Sequence, residues 1–452
     1  MLERLFGIRQ RGSTVGTEII AGVATFMTMS YIIFVQPIIL CRMLPTGMDP
    51  DAVMVATCLA SALGTLLMGL IANYPIALAP AMGHNVIFAG IVVGVAAGLP
   101  AGEAAWPKVM GAVFIAGFIF MFLSLFRFRA KLAETLPESL KHAIAVGIGL
   151  LITFVGLEYG GLVVDNPGTL VNLGELTSKH VLLVLGGTLF ITILLIYRVK
   201  GAILWGMLAT AIAGIPLGIV NYQGVVSAPP SLEPTFLKLD ILGALSPGFW
   251  AFIFIFLFLD LFDTVGTLVG VGERGGLMVE GKLPRIGRAF FCDAASTSAG
   301  AALGTSTVTS YIESIAGINA GGRTGLASVV TALLFLLALF FKPLVAMVGS
   351  AYTEAGGLAL FPAIAPALLI VGVFMMTSVR KIDWEDYSEA VPAFFTIIII
   401  PFAFSPAEGI GFGFVSYCLL KLAAGKGKQV HPVVYICAVL FVLLTVLRHF
   451  FL

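Results

Sequence analysis

The chain has 452 residues, of which 59% are hydrophobic and 11% charged. Soluble globular chains carry about 25% charged residues, so this one cannot clothe a water-facing surface, and a soluble enzyme is excluded. Lys and Arg (25) nearly balance Asp and Glu (24), which leaves no basic face for nucleic acid. A polytopic membrane protein remains. At roughly 30 residues per span and connection, the chain accommodates about 14 crossings of a ~30 Å hydrocarbon core.

The 52 glycines and 22 prolines exclude uninterrupted helices throughout. The N-terminal stretch MLERLFGIRQRGSTVGTE is charged, and the apolar run after it is too long for a signal-peptide core. No small-residue cleavage site is evident, so the first helix is expected to be retained. Apolar runs follow near 16–41, 52–73, 76–98, 108–127, 138–158, 180–197 and 201–220. A second series lies near 248–273, 286–301, 302–320, 325–348, 360–379, 387–404 and 407–425, with a further run at 432–451. With the N-terminus in the cytoplasm, most Lys and Arg fall inside, among them Arg127, Arg129, Lys131 and Lys282. Only Arg42, Lys108, Lys179, Lys238, Lys342 and Arg448 fall outside. An odd number of spans in each half gives the halves opposite orientations, as in inverted-repeat transporters. The expectation is an all-α polytopic membrane protein of fourteen transmembrane segments, two inverted seven-segment repeats plus an extra C-terminal hydrophobic helix.

In such folds the binding site forms at interrupted segments in corresponding positions of the halves. The third segment, Asn73 to Asn85, carries Pro75, Pro80 and Gly83, so no continuous helix is expected until after Asn85. In the tenth, Gly304 to Gly317, Thr, Ser and Val favour an extended start, and better helix formers come after it. Both read as part extended and part helix. A half helix starting in mid-membrane turns its free N–H groups toward whatever is bound.

An acid at the centre of a spanning helix costs roughly 2.5–3.5 kcal/mol on insertion scales, so it normally faces a cavity or a partner. The eighth segment places Asp260 and Asp263 at i, i+3 on one helical face, and the tenth supplies Glu313. Asp263 and Glu313 read as substrate-binding acids, the alternative being carboxylates that cap a neighbouring half helix. Asp260 reads as their orienter, and Asp293 as a helix-packing or gating group. Asn85 offers donor and acceptor together, and His84 adjoins it, as ligand or as hydrogen-bonded structure. Thr309 joins the set from the tenth segment. Phe262, Phe26 or Tyr31 would supply an aromatic face for a flat ligand. The five scattered cysteines lack metal spacing and read as packing.

The stretches TFMTMSYIIFVQP (25–37), NYPIALAPAMGHN (73–85), DLFDTVGTLVGV (260–271) and TSTVTSYIESIAGINAGGRTGL (305–326) resemble the nucleobase/ascorbate transporters. More narrowly they are similar to the adenine/guanine/hypoxanthine permease (AzgA-like) branch, and FPAIAPALLIVGVFMM (361–376) extends the likeness over nearly the whole chain. The resemblance implies a core domain (14–129 and 246–349) and a gate domain (130–222 and 358–452). It also implies proton-coupled uptake of a purine nucleobase (hypoxanthine, guanine or adenine) across the cytoplasmic, inner membrane by alternating access.

By motif position, Asp263 is similar to the family's eighth-helix acid, Glu313 to its tenth-helix acid, and Asn85 to the polar residue of its third segment. Glu313, Asp263 and Asp260 are the proton-coupling set, and no cofactor is expected. The partners expected are a purine base and the lipid bilayer, with a homodimer allowed.

Two departures bear on the substrate. Gln36-Pro37 stands where the branch commonly has Asn-Pro, and Ala81 and His84 stand where it has Gly and Leu. An oxidised purine (xanthine or urate) or another flat heterocycle therefore stays open. Further off lie an anion transporter of the same architecture and an intramembrane Mg-dependent prenyltransferase using Asp260-x-x-Asp263.

Overall fold

The computed structural model describes residues 2–43, 46–96, 98–100, 103–124, 137–279, 283–353, 359–404 and 406–451, most of them helical. Among these, seven helical stretches are long and apolar enough to cross a membrane: Val15–Arg42, Pro50–Ala72, Trp106–Ser124, Glu138–Tyr159, Lys179–Ile196, Trp250–Gly272 and Gly325–Val348. Met82–Ala96, Ala202–Gly214 and Tyr387–Phe402 are shorter apolar helices. Leu189, Leu333 and Leu419 are more than half exposed, as large apolar side chains are when lipid is the solvent. The expected boundary at 129/130, with Arg127, Arg129 and Lys131, lies outside the described residues, as does Lys282.

The chain divides into two compact units, residues 1–127 with 189–352, and residues 128–188 with 353–452. In the first, the helix starts follow their local chemistry. Thr14 accepts from the Thr17 N–H ahead of Val15–Met29, and Asp49 accepts from Ala52 N–H (2.8 Å) ahead of Pro50–Leu67, whose proline occupies the first turn. Glu18 is fully buried, and its carboxylate accepts from the N–H groups of Arg323 (2.9 Å) and Thr324 (3.3 Å) at the start of Gly325–Ala338. Small residues bring backbones together. A Cβ added at Gly22 would meet the Ala327 carbonyl at 2.5 Å, and one at Gly64 the Ser296 hydroxyl at 2.6 Å.

Residues 189–222, read with the gate from the sequence, cluster with the first unit. There Ala202–Gly214 packs on Val15–Met29 and Lys342–Val348, and Gly201 sits against Met27. Such a contact is set by tertiary packing and leaves no periodic trace in the sequence.

In the second unit, Glu138–Tyr159 packs on Ala365–Met376 through glycines: a Cβ at Gly149 would lie 2.6 Å from Met375 Cβ, and one at Gly156 3.0 Å from Leu368 Cβ. Tyr387–Phe402 packs on the same helix and on Pro406–Ala423. The run at 432–451 folds as the helix Pro432–Phe451.

Candidate functional site

The third and tenth segments meet as a two-stranded antiparallel ribbon in the first unit, with Leu78 opposite Ser310, Ala79 opposite Thr309 and Pro80 opposite Val308. Two further backbone bonds extend it, Ala81 N–H to Thr307 C=O and Tyr311 N–H to Ala77 C=O, both 2.9 Å. The half helix after the first strand runs Met82–Ala96, so it starts before Asn85 and not after it; Pro80 stays in the strand and Gly83 is absorbed in the first turn. The second strand leads into the short helix Ser314–Asn319.

So narrow a ribbon leaves outer backbone groups to be satisfied inside an apolar unit. Neighbouring hydroxyls and one carboxylate meet that demand. Leu78 N–H donates to Thr65 Oγ1 (2.9 Å), whose hydroxyl donates to the Leu78 carbonyl (3.1 Å). Ala77 N–H donates to Ser314 Oγ (3.0 Å), and Thr297 donates to the Val308 carbonyl (2.9 Å). Asp293 Oδ1 accepts from both the N–H and the hydroxyl of Ser310 (2.9 and 2.8 Å), and Oδ2 accepts from Thr264 (2.6 Å). Asp293 is thus a strand anchor, a role that a lone acid among Ser and Thr hardly announces. The small-residue helix Ile286–Leu303 that carries it comes close to the strand, since a Cβ at Gly300 would stand 2.6 Å from Val308 Cγ2.

Against this ribbon stand the two predicted acids. Asp263, on Trp250–Arg274, is exposed and accepts from Thr309 at 3.1 Å. Thr309 is itself buried, so it steadies the carboxylate from the ribbon side. Glu313, between the second strand and its helix, is half-buried and accepts from the Tyr31 hydroxyl at 2.7 Å. The two acids interact electrostatically, and Tyr311, whose hydroxyl donates to the Pro80 carbonyl (2.5 Å), interacts with both. Neither acid has a Lys or Arg ion-pair partner among the described residues.

The other expected residues divide. His84 is buried within electrostatic reach of Asp263. Asn85 is fully buried and its amide is engaged by Gln36 and Ser306. Asp260 is buried and accepts from Thr297 at 3.0 Å, a residue that also holds the ribbon. Phe26 packs edge-on against Phe335 at 5.2 Å. The Phe262 side chain lies outside the described residues. Tyr31, read as a stacking surface, serves Glu313 through its hydroxyl. The reading of single residues did not assign Tyr311 or the Gln36 network to the site. The available signal was the hydroxyl run Thr305 to Ser310, interrupted only by Val308, which can satisfy a strand's backbone inside a membrane domain.

The model of the permease family (Xan_ur_permease) matches residues 16–410. Among relatives, a putative permease of Methanocaldococcus jannaschii is 47% identical over 98% of this chain and 97% of its own. The adenine permease AdeP of Escherichia coli is 45% identical over 98% and 95%, and the guanine/hypoxanthine permease PbuG of Bacillus subtilis is 44% identical over 98% and 99%. In fold, the chain is similar to the transmembrane domain of a cyanobacterium bicarbonate transporter, BicA. The TM-score is 0.59 at 14% identity, covering 88% of this chain and 96% of that one. The murine Slc26a9 anion transporter gives 0.61 at 10% identity over 90% and 68%. With a family model spanning most of the chain and relatives above 40% identity over nearly their full lengths, this chain belongs to the permease family and is a transporter, not an enzyme.

Proposed function

We propose that this permease takes up purine nucleobases across the cytoplasmic membrane in symport with protons. The observation that carries the reading is the pair Asp263 and Glu313, set at the strand ribbon and held by the hydroxyls of Thr309 and Tyr31. A nucleobase is flat and neutral with a dense edge of N–H donors, and a buried donor left unpaired costs about 1–3 kcal/mol. Two steadied carboxylates answer such an edge. The purine substrates named for the E. coli and B. subtilis relatives support the same choice of ligand.

The paired third and tenth segments support an architecture of fourteen segments in two inverted repeats, since each is third in its seven. Residues 14–129 and 246–349 form the substrate-carrying core, and 130–222 and 358–452 the gate against which it moves. The distribution of Lys and Arg supports a cytoplasmic N-terminus. An ionised carboxylate carried through an apolar interior is costly, so a proton on Glu313 or Asp263 lets the loaded core cross nearly neutral. Asn85, closed on Gln36 and Ser306, holds the half helix in place for that movement.

Uptake of labelled adenine, guanine and hypoxanthine into cells lacking their own purine carriers tests the reading. Accumulation that collapses with a protonophore is expected. Purine uptake indifferent to the protonophore contradicts the coupling, and no purine uptake contradicts the substrate.

A further inference from the structure

His84 sits in the first turn of Met82–Ala96, only 5% exposed, and its Nε2 has no hydrogen-bond partner among the described residues. The ring also meets the Leu259 carbonyl and interacts electrostatically with Asp263. In the neutral tautomer that carries its proton on Nδ1, the unpartnered Nε2 is a lone-pair acceptor. A buried acceptor without a donor is costly. Its neighbour Asn85 does not relieve it, being bonded to Gln36 and Ser306. Asp263 is exposed, so a ligand that reaches this carboxylate arrives beside His84. Asp263, Glu313 and His84 together then make a set of acceptors, which calls for a ligand edge rich in N–H.

We propose that His84 Nε2 accepts a hydrogen bond from the exocyclic amino group of a bound aminopurine, which makes His84 a specificity-determining residue favouring adenine or guanine over hypoxanthine. This rests on the purine-permease reading above. Hypoxanthine has no exocyclic amino group, so it leaves the buried acceptor unpaired where an aminopurine satisfies it.

The test is initial-rate uptake of labelled adenine, guanine and hypoxanthine by the full chain in cells without other purine carriers. Each variant is read as its ratio of KM values, hypoxanthine over the better aminopurine. The wild type should show a ratio of about ten, the worth of one well-made buried hydrogen bond. His84→Leu should bring it close to one by raising the aminopurine KM. His84→Gln, with a side-chain carbonyl to accept, should keep most of it. The ratio is internal to each variant, so poor insertion does not mimic the effect, and His84→Phe gives the same readout if the Leu variant is not made. A wild-type ratio near one, an unchanged ratio in His84→Leu, or a ratio lost equally in His84→Gln overturns the assignment. A wild type that takes up no purine overturns the permease reading itself.

Discussion

The side-chain amides of Gln36 and Asn85 face each other head to tail: Gln36 Nε2 donates to Asn85 Oδ1 at 3.0 Å, and Asn85 Nδ2 donates back to Gln36 Oε1. Gln36 also donates to Thr305 Oγ1 at 2.9 Å, and the Ser306 hydroxyl donates to Asn85 Oδ1. Both amides are fully buried. The pair therefore ties the helix Ile32–Ile38, with its internal Pro37, and the half helix Met82–Ala96 to the run that leads into the strand Val308–Ser310.

Asn85→Ala leaves Gln36 and Ser306 without their partner, and each orphaned buried group costs about 1–3 kcal/mol. The thermal midpoint in detergent should fall by at least about 3 °C. An unchanged midpoint would show that the cycle contributes little to holding the half helix.

Asp293→Ala removes the acceptor for the Ser310 N–H, the Ser310 hydroxyl and Thr264. The strand that carries Thr309 and leads to Glu313 then loses its anchor. Base uptake per inserted protein should drop at least about tenfold, as misplaced binding groups commonly cause. A wild-type KM and rate would reduce Asp293 to a packing residue.

Gly22→Ala forces a methyl group to within 2.5 Å of the Ala327 carbonyl and 2.6 Å of Val330 Cβ. Overpacking of this kind costs about 1–3 kcal/mol. Gly90→Ala, in the half helix, meets no heavy atom within 4 Å and should be neutral or gain about 0.5–1 kcal/mol from helix propensity. Thermal midpoints of the two variants should move in opposite directions or differ clearly; equal losses would contradict the packing argument.

In the second unit, Lys421 is buried beside Glu389 (2.8 Å) and Asp386 (3.5 Å), and Lys426 pairs with Asp386 at 2.8 Å. The hydrogen bond from Lys426, and then those from Ser388, hold the Asp386 carboxyl well below the usual carboxylate range. An acid whose folded-state pKa is depressed stabilises the fold above its unfolded value, about 3.9, and loses that contribution as pH falls through the lower folded value. The stability difference between wild type and Lys426→Met should therefore be full at pH 7 and shrink below about pH 4. Detergent melts at several pH values check this, and a difference that grows on acidification would refute it.

What could be read from the sequence tracks what is local. Pro75, Pro80 and Gly83, and the hydroxyl run before Glu313, mark the broken segments because they act on their own backbone. Asp263 and Glu313 stand out because an acid in a membrane helix is too costly to be idle. Their setting was hidden, since Tyr31 reaches Glu313 and Thr309 reaches Asp263 from distant parts of the chain. The ribbon register, Leu78 on Ser310, has the same character. The start of the half helix at Met82 was misjudged because Gly83 counts as a breaker alone but is tolerated in a first turn.

The central claim is that Asp263 and Glu313 bind the base and serve its coupling to protons. Protonophore-sensitive uptake of a labelled purine by Asp263→Asn and Glu313→Gln, each normalised to inserted protein, tests it most directly. The account predicts a loss of at least about tenfold in both variants, the worth of a hydrogen bond to a charged group. Wild-type accumulation in either one would contradict it.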